Sequence, residues 1–154
     1  MTDRIQNLVD AGRLSRESAP DDEIAGLWAN AVQAFHDAQV ESLSANGRLL
    51  RAYDAGRIAA ATVVRSRDLR VRAANHHELT LAIAALVSDA ELAKAFNEMD
   101  GMRRLRADLE YGWQAGASAA DVQRALDVVR RVLRFGAVEL AEHRSSLGGR
   151  LPEP

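Results

Sequence analysis

Apolar residues recur along this chain at spacings of three and four, almost from one end to the other. That period describes one face of an α-helix and excludes folds built from long alternating strands. Alanine fills 29 of the 154 positions and adds intrinsic helix preference. The nearest approach to a strand is Leu69-Arg70-Val71-Arg72, whose alternation is too short to specify one. The expected fold is therefore all-α: an antiparallel bundle of about five helices with a short N-terminal helical arm.

The punctuation supplies the segments. Asp3 to Ala11 reads as a short helix ended by Gly12, and Arg13 to Ala19 as an irregular polar stretch. Pro20 followed by Asp21, Asp22 and Glu23 is a helix start, with acids at the positive dipole end. That helix is expected to run to about Ser42, with Ser44 to Gly47 breaking it. Helices from about Arg48 to Ser66, from His76 behind an Asn75 cap, and from Ser88 with Glu91 as a capping box follow in turn. The last of these ends near Tyr111 at Gly112. A final helix, Ala119 to about His143, starts after Ser118. The expected organisation is a helical arm over 1–19, a bundle over 20–143 and a disordered tail over 144–154.

Composition narrows the chemistry. Without cysteine there is no disulfide framework, thiol catalysis or cysteine-ligated zinc. A formal charge of −2 opposes a generally basic nucleic-acid coat. No apolar run approaches a membrane span, and the N-terminus lacks the apolar core of a signal peptide. The expectations are a cytoplasmic protein with no membrane partner. There is no phosphate loop and no dinucleotide fingerprint, and neither a metal nor a cofactor is expected.

Function is sought where polar residues break the apolar stripes. Between Leu92, Phe96, Met99, Met102 and Trp113, the helical wheel places Arg103, Arg106 and Glu110 inside the stripe. Arg106 and Glu110 are four apart and can pair on one face. One helix earlier, Arg57 lies near the stripe of Leu50, Tyr53 and Val64, with Asp54 at its edge. A charge on a core-facing stripe is costly unless paired. Tyr53, Asp54, Arg57, Arg103, Arg106 and Glu110 are thus expected to form a polar cluster between two packed helices. Such a cluster fits a binding site. It equally fits arginines that snorkel to water or a network that fixes helix register. Arg104, Asp108 and Tyr111 share another face of the same helix, where an Arg104–Asp108 ion pair on a solvated surface would also account for them.

Three other features are weaker. His76 and His77 are adjacent, which points their side chains ~100° apart and suits a surface or cap better than a metal site, although one of them can lie near the arginines. Arg65, Arg67, Arg70 and Arg72 form a basic loop without interleaved aromatics, closer to a solvated loop than to a nucleic-acid platform. On the final helix Val128, Arg131, Phe135 and Val138 share a face opposite the core stripe. Exposed apolar residues beside arginine suit self-association, unless the arm residues Ile5, Leu8 and Val9 cover that face.

The segment Arg103-Arg104-Leu105-Arg106-Ala107-Asp108-Leu109-Glu110-Tyr111, late in a long helix, resembles the active-site region of the HEPN superfamily. These are small helical bundles of prokaryotic toxin–antitoxin and phage-defence systems. The preceding Tyr53–Ala61 helix and the helix order over about residues 20 to 143 support the resemblance. It implies a homodimer acting on RNA, a nucleotide or a cognate partner protein. It also implies a metal-independent ribonuclease chemistry in members that carry an arginine followed, after four to six residues, by histidine. On this chain Arg104 takes the arginine position and Tyr111 the tyrosine that often follows. Leu109 stands where the histidine would be. An arginine can stabilise phosphate charge, but leucine moves no proton, so the expectation is a weak or inactive module with Arg104, Asp108 and Tyr111 as its catalytic remnant. The alternative expectation is a non-catalytic helical interaction or dimerisation domain with no nucleic-acid role.

Overall fold

A computed structural model describes residues 2–74, 76–112 and 116–154. It is an all-α bundle of six helices, with one two-stranded ribbon among the described residues. The helices are α1 (Thr2–Asp10), α2 (Asp21–Ala38), α3 (Ala45–Ser66), α4 (His76–Val87), α5 (Ala90–Tyr111) and α6 (Ala119–His143). No described helix is long and apolar enough to cross a membrane.

Local chemistry sets the ends. Pro20, in extended conformation, caps α2 ahead of the three acids. Ser44 was expected within a break; instead its hydroxyl accepts from the Gly47 N–H and starts α3 three residues early, while α2 stops at Ala38. Asp89, rather than Ser88, caps α5, its carboxylate accepting from the Leu92 N–H at 2.9 Å. The anionic side chain is the better acceptor for a helix N-terminus. Ser118 and Asp121 form a reciprocal capping box on α6. Asn75, expected as the cap of α4, and Trp113 lie outside the described residues.

α3 is the central helix and packs on α2, α4, α5 and α6. Its buried face is mostly small: Ala52, Ala55, Gly56, Ala59 and Ala60. Small side chains let neighbours approach closely, so Gly56 lies directly under the Met99 thioether. On α6, Gly136 faces the Trp28 indole, where an added Cβ would lie 3.0 Å from the ring. The alanine content thus serves close packing as well as helix preference.

Two expectations are corrected by long-range contacts. The stretch from Arg13, expected as irregular, forms β1 (Leu14–Arg16), which pairs antiparallel with β2 (Leu69–Val71), Leu14 lying opposite Val71. Gly12 makes the preceding turn at φ +68°, and Asp68 turns α3 into β2 at φ 56°. Three-residue strands are too short to carry a period, which is why no strand was expected. The C-terminal segment, expected as disordered, packs on the bundle. Leu147, in a 3-10 turn, is fully buried, and Trp28 Nε1 donates to the Pro152 carbonyl at 3.2 Å.

Arg65 ties these parts together. Its side chain is buried at the end of α3. Nε donates to Glu23 at 2.7 Å, Nη1 to the carbonyls of Glu17 and Leu69, and Nη2 to the Ser18 carbonyl and Glu23. All five guanidinium donors are used. Removing one partner of a buried charge pair costs about 3–5 kcal/mol, so Arg65→Leu is expected to lower stability by about that amount in urea denaturation. A loss below about 1 kcal/mol would show that the link does not hold the ribbon and α2 to α3.

Candidate functional site

A cleft of about 300 Å³ opens between α3, α5 and the first turn of α4. Tyr53, His77, Arg103, Arg106, Ala107 and Tyr111 are among its lining residues. The Tyr53 ring is fully buried in the middle of α3. Its hydroxyl is also buried and has no hydrogen-bond partner. Buried hydroxyls nearly always find one, so an orphan here asks what the missing partner is.

Arginines surround it. The Arg106 guanidinium stands over the Tyr53 ring, 5.3 Å from its centroid. Arg106 also pairs with Glu110 at 3.0 Å, one helical turn on. Arg57 lies 3.7 Å from Asp54, and Arg103 holds Asp100 at 2.9 Å with Glu78 at 3.9 Å. The side chains of Arg57, Asp54, Arg103, Arg106 and Glu110 are 28–32% exposed, so none is either free in water or sealed in the core. Burial pushes the Tyr53 phenol above its ordinary pKa, opposed by the positive fields of Arg106, Arg57 and Arg103. Those three guanidinium fields converge on one neutral hydroxyl.

The structure therefore brings Tyr53, Asp54, Arg57, Arg103, Arg106 and Glu110 into one neighbourhood. It also adds a group from α4. His77 is half-buried, with the His76 ring edge-on at 4.3 Å. Burial, then Arg57, His76 and Arg106, lower its pKa, against an opposing pull from Asp54. The signal in the sequence was only that a histidine pair opened the helix after the basic loop.

Other candidates stand elsewhere. Arg104 is 75% exposed and pairs with Asp100 at 3.2 Å, not with Asp108. Arg104 and the exposed Asp108 are absent from the cleft lining, whereas Tyr111, 88% exposed, is at its rim. Leu109 packs against the core. The three motif residues Arg104, Asp108 and Tyr111 are thus not gathered in the cleft. On α6, Val128 and Phe135 are half-buried and Val138 is 55% exposed. Arg131 bridges to Glu98 of α5, with Nη1 3.2 Å from Oε1. The arm does not cover this face, because α1 packs by β1.

The basic loop is structural. Besides Arg65, Arg70 and Arg72 both pair with Glu17, and Arg67 pairs with buried Glu139 at 3.0 Å. Glu139 also accepts from the Asp89 N–H. Glu17 and Glu139 lie 53 and 72 residues from their arginines, and no local pattern announces such pairs. Among the described residues, no group of three His, Asp or Glu is placed to hold a metal ion. Comparison with known proteins gives no match to a family model, to a curated protein or to a solved structure.

The arrangement suits an anion. Guanidinium forks and a phenol O–H donate to phosphate-like oxygens, and the α4 N-terminus adds its dipole. An anion beside His77 favours the imidazolium, so it raises a pKa that the empty cleft holds below the ordinary 6.5. By linkage, the anion binds more tightly as pH falls through that range. Sulfate, which stays ionised throughout, tests this. NMR titration of His77 is expected to show a midpoint below 6.5 without sulfate and a higher one with it. A midpoint indifferent to sulfate would place the anion elsewhere.

Proposed function

We propose that this protein is a HEPN-like helical module that binds the phosphate of single-stranded RNA or of a nucleotide in the α3–α4–α5 cleft, with little or no catalysis of its own. The observation that carries this reading is the buried, unpartnered Tyr53 hydroxyl ringed by Arg57, Arg103 and Arg106. A phosphate oxygen is the acceptor that this hydroxyl lacks.

The rim supports a nucleoside. Tyr111 exposes its ring at the cleft edge, and Ala107, one turn earlier on the same row of α5, takes up little space. A base stacks on an exposed aromatic with ~1–3 kcal/mol and little sequence preference. Leu109 carries no proton, and Arg104 faces solvent beside Asp100. Both favour binding over cleavage. The His77 imidazole lies within the field of Arg57 and Arg106, and any weak metal-independent cleavage would draw on it.

In this reading the protein works in the cytoplasm as a homodimeric component of a toxin–antitoxin, stress or phage-defence system. The resemblance over residues 103–111 supports the setting. The face bearing Val128, Phe135 and Val138, uncovered by α1, supports the dimer.

Fluorescence anisotropy with a labelled single-stranded RNA, alongside calorimetry with AMP, tests the proposal. Binding is expected at low salt and should weaken as salt rises. Arg106→Ala is expected to weaken it about tenfold or more through the lost charge-assisted hydrogen bonds. Tyr111→Ala should remove the stacking contribution for RNA and AMP while sparing inorganic phosphate, and Arg104→Ala should change little. Absence of binding at low salt, or equal losses in the Arg104 and Arg106 variants, would overturn the reading.

A further inference from the structure

A second cavity, of about 350 Å³, runs between α1 and α4. It shares no lining residue with the phosphate cleft. Leu8 of α1 and Leu79, Ala82 and Leu86 of α4 give it an apolar floor, and Arg4, Asn7 and Arg13 are its polar lining residues. It exists because α1 is attached through β1 and does not pack helix to helix on α4.

α4 is unusual in itself. From Leu79 to Val87 its only polar side chain is Thr80. A helix that is apolar all round is normally covered all round. Thr80, Leu81, Ile83 and Ala84 are buried toward the bundle, whereas Leu79 and Leu86 are half-buried and Ala82 is exposed along the groove.

The charges around the groove bear on its occupant too. Most arginines of this protein hold a carboxylate, including Arg51, Arg65, Arg67, Arg70 and Arg144. Arg4 and Arg13, like Arg16, Arg48 and Arg134, hold none among the described residues, and no carboxylate lines the groove. An apolar floor lined by two unneutralised cations calls for an occupant with an apolar face and an acidic edge.

We propose that this groove receives an amphipathic helix of a partner protein, apolar on the entering face and acidic along an edge. The length fits. Leu79 to Leu86 spans seven residues, about 10.5 Å or two turns, which matches anchors at i, i+3 or i+4, and i+7. The walls on both sides are helices whose backbone groups are already bonded. An extended peptide would find no sheet edge there, whereas a helix satisfies its own backbone.

Selection of a phage-displayed library of helical peptides on the folded protein tests this, with Ala82→Glu as the counter-target. Ala82 is exposed, and circular dichroism with a urea midpoint confirms that the variant folds. Enriched peptides are expected to carry Leu, Ile or Phe at i, i+3 or i+4, and i+7, with Asp or Glu beside them. Their affinity is expected to fall tenfold or more in Ala82→Glu and in the double variant Arg4→Glu/Arg13→Glu, and to fall with added salt. Three results would each overturn the proposal: no enrichment over the counter-target, enrichment of basic sequences, or affinities unchanged in both variants. Decanoate is the control for a small amphiphile. If it shifts the Leu79 and Leu86 methyl resonances while no peptide is enriched, the groove belongs to that class instead.

Discussion

The Arg65 guanidinium is the constraint on which the architecture rests. It is buried where α3 ends, and its donors reach the carbonyls of Glu17, Ser18 and Leu69 and the Glu23 carboxylate. A bare guanidinium in that position would be prohibitively costly, so the chain segments that carry these acceptors must come to it. They are the strand-to-helix link, the first turn of α2 and the start of β2. Arg144 makes a second tie to the same corner, donating to the carbonyls of Ser66 and Ala19 and to Asp21 and Asp68. The N-terminal ribbon, the entry to α2, the exit of α3 and the C-terminal segment are thereby fixed together by two side chains. Glu23 and Asp21 are held below the ordinary carboxylate range, first by the hydrogen bond from Arg65 and from Ser146 respectively.

That corner lies at the C-terminal end of α3, and the cleft lies beside its middle. Tyr53 and Arg65 are twelve residues apart on α3, about 18 Å along its axis. Structural arginines cluster at one end, each bonded to groups distant in sequence. The arginines around Tyr53, of which Arg103 and Arg106 line the cleft, have most of their acids only three or four residues away: Asp54 for Arg57, Asp100 for Arg103, Glu110 for Arg106. Small residues between the two ends keep α3 in close contact with α5 and α6, so the cleft sits on a rigid floor rather than on loops.

This division explains what could be read from the sequence. Helix existence and most ends were legible, because periodicity and caps are local: α6 runs from Ala119 to His143 as expected. The polar cluster was legible for the same reason, since i,i+4 spacing alone puts Arg106 and Glu110 on one face. What escaped depends on partners far along the chain. The ribbon needs Leu14 and Leu69 together, the role of Arg67 needs Glu139, and the packed C-terminal segment needs Trp28 and Arg144. Arg104 escaped differently. Its neighbours in the motif suggested a functional face, but Asp100 lies one turn back and Asp108 one turn on, and the spacing rule permits either pair.

The acids in the cleft bear on how it works. Among the described residues Asp100 accepts from Arg103 Nε, whereas Asp54 and Glu110 stand at ion-pair distance from Arg57 and Arg106, so most of these guanidinium donors make no hydrogen bond to a carboxylate. The acids hold the guanidiniums apart and in place around Tyr53, which lowers the ordering cost of binding. They also keep the empty cleft nearly neutral, so a passing anion gains little from long-range attraction. In the proposed reading an occupant must instead satisfy several donors at once, the Tyr53 hydroxyl among them. A phosphate, with several acceptor oxygens on one centre, does that where a single carboxylate or chloride does not. In the proposed reading, the same acids that oppose an anion are therefore what favours one with the shape and acceptor number of phosphate.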